Sequence, residues 1–111
     1  MAATSNLYID AGSTFSAIIS VSGSSGLPLN LTGYTIASQI RKSYGSLTAY
    51  AFVATIYDAH TGKVRLVLPA TTSSGIKPGR YLYDIEVTTP LSEKLRVVEG
   101  LVIITPEITK I

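Results

Sequence analysis

The chain has 111 residues, 46% of them hydrophobic and only 14% charged, which fits one folded domain over residues 1–111 and excludes both a second domain and a disordered chain. Nine Lys and Arg against seven Asp and Glu give a net charge of +2. The basic residues are dispersed, as at Arg41, Lys63, Arg65, Arg80, Lys94 and Lys110, which excludes a dedicated nucleic-acid or polybasic membrane binder.

With no Cys there is no disulfide framework, zinc-ribbon spacing or thiol nucleophile. The first residues, MAATSNLYIDAG, lack the basic region and continuous apolar stretch of a signal peptide, because Asn6 and Asp10 interrupt it, so export by that route is not expected. Apolar runs such as residues 101–104 fall far short of the roughly 20 residues a membrane-spanning helix needs.

In chain order, hydrophobicity repeats every two residues and turn signals cut it into short segments, the pattern of strands. A short strand is expected at residues 7–9. The next holds Phe15, Ala17, Ile19 and Val21 on one face and Thr14, Ser16, Ser20 and Ser22 on the other, with Ile18 breaking the alternation. A loop follows, marked by Gly23, Gly26, Pro28 and Gly33. Tyr34, Ile36 and Ile40 form the apolar face of the next strand, with Ser38 inward. The run AYAFVATIYD reads as one strand, apolar enough on both faces to be covered on two sides. Through the tetrapeptide AHTG it leads into KVRLVLP, so residues 57–68 are a predicted hairpin.

Between Pro69 and Gly79, Thr and Ser hydroxyls are placed to cap at most one short helical turn. Tyr81, Tyr83, Ile85 and Val87 then alternate with Leu82, Asp84, Glu86 and Thr88, the clearest alternation in the chain and the mark of a central strand. The last strand, KLRVVEGLVIIT, stumbles at Glu99 and Gly100, where a β-bulge is expected. About seven strands with short connections predict an all-β sandwich, with a small barrel as the alternative.

Candidate chemistry is sparse. Asp58 lies two residues before the single His, His60, a spacing that invites a general-base reading. No placed nucleophile accompanies the pair, and a turn beside Gly62 is an ordinary place for a solvated His. Asp84 and Glu86 share one face of a strand, where solvated carboxylates paired with Arg96 or Arg65 are expected. No catalytic, metal or cofactor site is expected, and a small-molecule ligand is not expected either. The seven Tyr divide into Tyr34, Tyr81 and Tyr83 on core faces and Tyr8, Tyr44, Tyr50 and Tyr57 as candidates for contact with other chains, since Tyr is enriched at interfaces. Mean hydropathy is positive, high for a small monomer with a polar surface, so part of the apolar surface is expected to be covered by a partner.

Three stretches carry a resemblance: NLYIDAGSTF, LNLTGYT, and KPGRYLYDIE followed by RVVEG. In this order and spacing they resemble small virion structural proteins of tailed bacteriophages, cyanophages included. More distantly the layout is similar to the N-terminal domain of phage baseplate upper proteins, an immunoglobulin-like β-sandwich. The resemblance implies an immunoglobulin-like antiparallel sandwich and a non-catalytic building block located in the virion, decorating the capsid or forming part of the tail and baseplate. Its implied partners are other virion proteins and further copies of itself. The chain ends then become contact elements, with Ile108 and Ile111 joining the four Tyr as candidate interface residues. A carbohydrate- or cell-surface-binding β-sandwich module is the alternative, and an ordered row of exposed aromatic rings on one face would favour it.

Overall fold

The computed structural model describes residues 3–22 and 26–106. Its elements are β1 (Ala3–Thr4), β2 (Leu7–Asp10), β3 (Phe15–Ser20), β4 (Thr35–Arg41), β5 (Ala49–Ala51), β6 (Val53–Asp58), β7 (Lys63–Leu68), α1 (Ala70–Ser73), β8 (Gly79–Thr88) and β9 (Lys94–Thr105). The larger sheet runs β1–β9–β8–β4–β5, with β2 also pairing β9, and the smaller runs β3–β7–β6. This is the strand order of an immunoglobulin-like sandwich, except that the N-terminal strands join the last strand rather than β3. The larger sheet is mixed, and the smaller is wholly antiparallel. Both β1 and β2 lie parallel to β9, because the chain crosses to the other sheet after Asp10 instead of turning back on itself.

Among the described residues nine strands stand where seven were expected, for two reasons. Ala3 and Thr4 form a two-residue strand too short to show a pattern. The run expected as one strand is divided at Phe52, whose amide donates to the Ser38 carbonyl at 3.0 Å as the chain passes from β5 in one sheet to β6 in the other. The outer side of β6 is uncovered, with Val53 and Tyr57 exposed, contrary to the two-sided burial expected from its composition.

The core follows from strand alternation. Val64, Leu66 and Leu68 of β7 face Tyr81, Tyr83, Ile85 and Val87 of β8, with Ile40, Val98, Val102 and Ile104 beside them. Phe52 links the layers, its ring 6.0 Å from that of Phe15 and 6.1 Å, edge-on, from that of Tyr83. Ser38 is buried as expected and donates to the Asp84 carbonyl at 2.6 Å, so its hydroxyl is satisfied inside an apolar layer. Residues 59–62 close the β6–β7 hairpin. Gly62, at φ 70°, is needed there because a Cβ would lie 2.6 Å from the carbonyl oxygens of Val21 and Leu29.

The helical turn is present; the Ser74 hydroxyl donates to the Thr71 carbonyl at 3.2 Å at its C-terminal end, and no hydroxyl stands at its N-cap. Pro69 stands at its N-cap without a side-chain bond, suited by its extended backbone. The buried Ser73 hydroxyl lies 3.3 Å from the Ala70 carbonyl within the turn, donates to the Ser13 carbonyl at 2.8 Å and accepts the Gly12 amide at 3.2 Å, tying α1 to the crossover between β2 and β3. At the start of β8, Tyr81 donates to the Lys77 carbonyl at 2.6 Å, the tyrosine-corner arrangement of immunoglobulin-like domains.

The bulge in β9 falls two residues before the expected Glu99–Gly100 step. Ile85 pairs with Val98 and Glu86 with Arg96, leaving Val97 as the extra residue. Gly100 answers a different demand, the close passage of Ser5 over β9.

Candidate interaction surface

Alternation along β8, β9 and β4 sends one set of side chains outward from the larger sheet, and register brings them together. Leu82 stands opposite Leu101 and Arg41, while Asp84 stands opposite Glu99 and Gln39. With the β4–β5 turn on one side and Thr4 and Asn6 on the other, these residues line an open groove of about 520 Å³ that also includes Tyr44, Glu86 and Arg96. Its floor is apolar at Leu82 and Leu101, and its walls carry fixed charges.

Arg96 holds this network. Its Nε lies 3.1 Å from Asp84 Oδ2 and its Nη1 3.5 Å from Glu99 Oε2, so the expected cross-strand partner of Asp84 is confirmed. Arg65 is not a partner, because it lies in the other sheet, where it donates to Ser16 Oγ at 3.2 Å. Partial burial first, and the neighbouring Glu86 carboxylate second, raise the Asp84 carboxyl above its ordinary range, and Arg96 pulls the other way. The same pair raises the Arg96 guanidinium, so the contact is favourable while loss of water outweighs it at Asp84. Arg41 is held over the β4–β5 turn by a hydrogen bond to the Ser46 carbonyl and by Gln39 Oε1 at 3.1 Å.

One rim of the groove is built by the N-terminal segment. Ser5 turns its carbonyl to the Tyr83 hydroxyl at 2.6 Å, and Asn6 Oδ1 accepts the Leu101 amide at 3.0 Å. Burial raises the Tyr83 hydroxyl, and that of Tyr81, above the usual tyrosine range, so both remain donors at neutral pH.

The sequence-derived interface residues do not form one patch. Tyr44 is exposed at the groove, Tyr8 is exposed on the outer side of the edge strand β2, and Tyr57 is exposed on the outer face of the opposite sheet. Tyr50 is half-buried and packs against the core: on β5 its side chain follows the inward phase shared with Phe52. Ile108 and Ile111 lie outside the described residues. Missed from the sequence were Leu47, which is fully exposed, and Leu27, Ile18 and Leu91. Of these only Ile18, as the break in an otherwise regular alternation, left a signal. His60 is exposed in the β6–β7 turn, and among the described residues no group of three His, Cys, Asp or Glu is placed to hold a metal ion.

No protein-family model matches the chain, and no curated protein matches it. Among solved structures, an internalin-like protein of Listeria monocytogenes aligns over 94% of this chain at 16% identity with a TM-score of 0.47. A family 123 glycoside hydrolase from Clostridium perfringens aligns over 97% at 12% identity with a TM-score of 0.44. The chain spans 28% and 24% of those proteins' lengths.

Proposed function

We propose that this protein is a non-catalytic structural component of a tailed-phage virion, working through contacts with other virion proteins and with copies of itself. The observation that carries the assembly role is the exposure of large apolar side chains on both outer sides of the sandwich: Tyr8 and Tyr44 on the larger sheet's side, Ile18, Val53 and Tyr57 on the smaller sheet's. A domain with uncovered apolar groups on two opposite sides is suited to packing between neighbours. Virion placement rests on the three sequence stretches, which fall on β2 and the β2–β3 crossover, the turn into β4, and β8 with the middle of β9.

Mass spectrometry of purified particles of the encoding phage tests the placement. The chain is expected as a multi-copy component, and its absence from particles overturns the proposal. The carbohydrate-binding alternative would use the groove, where Tyr44 is the one exposed ring, since Tyr8 does not line it and Tyr57 is on the other sheet. Among the described residues no row of exposed aromatic rings supports it. Glycan-array binding by a protein that stays monomeric at every concentration in light scattering would decide for that alternative.

A further inference from the structure

The smaller sheet ends on β3, whose outer edge pairs with no strand among the described residues. Open edges are normally protected by shortness, charge, proline or a bulge. The other edges of this sandwich follow that rule. Strand β5 has three residues, β6 has a register shift between Ile56 and Asp58, and the β1–β2 edge is interrupted at Ser5 and Asn6 and ends on Asp10. Strand β3, FSAIIS, has six residues in unbroken register with β7 and contains no charge, proline or glycine.

The backbone groups on that edge can be assigned. The Val21 amide donates to the Gly62 carbonyl at 2.7 Å, on the β7 side. By the two-residue period, Phe15, Ala17 and Ile19 turn their amides and carbonyls toward β7, and Ser16, Ile18 and Ser20 turn theirs to the open edge. The side chains of Ser16, Ile18 and Ser20 are also the exposed set, Ile18 at 51%.

We propose that this edge pairs antiparallel with β3 of a second copy of the chain, about a two-fold axis that sets Ile18 opposite the partner's Ile18. The register places Ser16 beside the partner's Ser20 on the outer face, where Arg65 of β7 donates to Ser16 Oγ at 3.2 Å, and Ala17 beside the partner's Ile19 on the core side, small against large, with no charge contributed by β3 itself. It closes both open edges and yields a continuous six-stranded sheet, an isologous contact. The inference rests on the assembly reading above only in naming one of its contacts.

The test uses the full chain in light scattering with Ile18→Glu and Ile18→Lys. Both changes lie on a solvated face, and circular dichroism checks that each variant folds. Wild type is expected to dimerise, and each variant alone to show a dissociation constant raised about tenfold or more, through lost apolar contact and like charges set opposite each other. Mixing the two variants restores the dimer. Ser20→Pro, which removes an outward amide that β7 does not use, gives the same loss without adding charge. Association that all three variants leave unchanged overturns the pairing while the assembly reading stands. A monomeric wild type overturns it too, with particle composition deciding the wider reading separately. If removal of residues 107–111 abolishes association and the mixed variants fail to restore it, the tail occupies the edge and the pairing is overturned.

Discussion

Gly100 faces the Ser5 carbonyl so closely that a Cβ at this position would overlap its oxygen. The obstacle is backbone, held in place by the Tyr83 hydroxyl on that carbonyl and by the Ser5 amide on Glu99. Gly100→Ala must therefore push β1 and the Ser5–Asn6 bend away from β9. A cost of about 1–3 kcal/mol is expected, measured by urea denaturation, with loss of amide protection concentrated in residues 3–6. A variant as stable as wild type would show that the bend moves freely.

Two tyrosine hydroxyls separate by what their acceptors can do without them. Lys77 is exposed, so water replaces the Tyr81 hydroxyl, and Tyr81→Phe is expected to cost about 1 kcal/mol. Ser5 is half-buried beneath the N-terminal bend, so Tyr83→Phe leaves a carbonyl poorly served and is expected to cost more, up to about 3 kcal/mol. Chemical denaturation of both variants gives the order directly.

Asp84 links stability to pH. Its carboxyl is raised in the folded state by burial and by Glu86, so the fold binds that proton more tightly than the unfolded chain does. The contribution is fully present below the unfolded value and is lost as pH rises through the folded one. Acidification through the window just above the ordinary carboxylate range is thus expected to raise the melting temperature, and Asp84→Asn to flatten that part of the profile. Melting curves across pH for both proteins provide the check, and parallel profiles would remove Asp84 as the source.

His60→Ala is expected to leave melting temperature and oligomeric mass unchanged, since the ring is exposed in a turn. Thermal melting and light scattering suffice. Loss of a hydrolytic activity on this substitution would overturn the non-catalytic reading.

The sandwich was legible where burial on one side imposes alternation, as in β3, β4, β7 and β8. The division at Phe52 was not, for a physical reason. Tyr50, Phe52, Ala54 and Ile56 all lean on the core and Ala51, Val53, Thr55 and Tyr57 all point out, so the side-chain phase passes from one sheet to the other without a slip. The bulge was expected at Glu99 and Gly100 because alternation stumbles there, yet the extra residue is Val97, where two adjacent valines let the inward phase slip by one residue within an apolar run. The groove joins Thr4, Gln39, Asp84 and Glu99, residues brought side by side by register, and no local signal in the sequence states register between distant strands. Ile18 was visible as an irregularity, but its place on an open edge depends on β2 having joined β9.

That parallel pairing of the first strands with the last also fixes how the domain bears load. Six residue pairs run from Ala3 with Val98 to Asp10 with Thr105, and the two strands leave the domain in opposite directions at their free ends. Tension applied between the chain ends therefore pulls along the seam and strains its hydrogen bonds together, rather than opening them one after another as in a hairpin. The same crossover that leaves the outer edge of β3 open among the described residues makes the sandwich stiff to stretching from its ends.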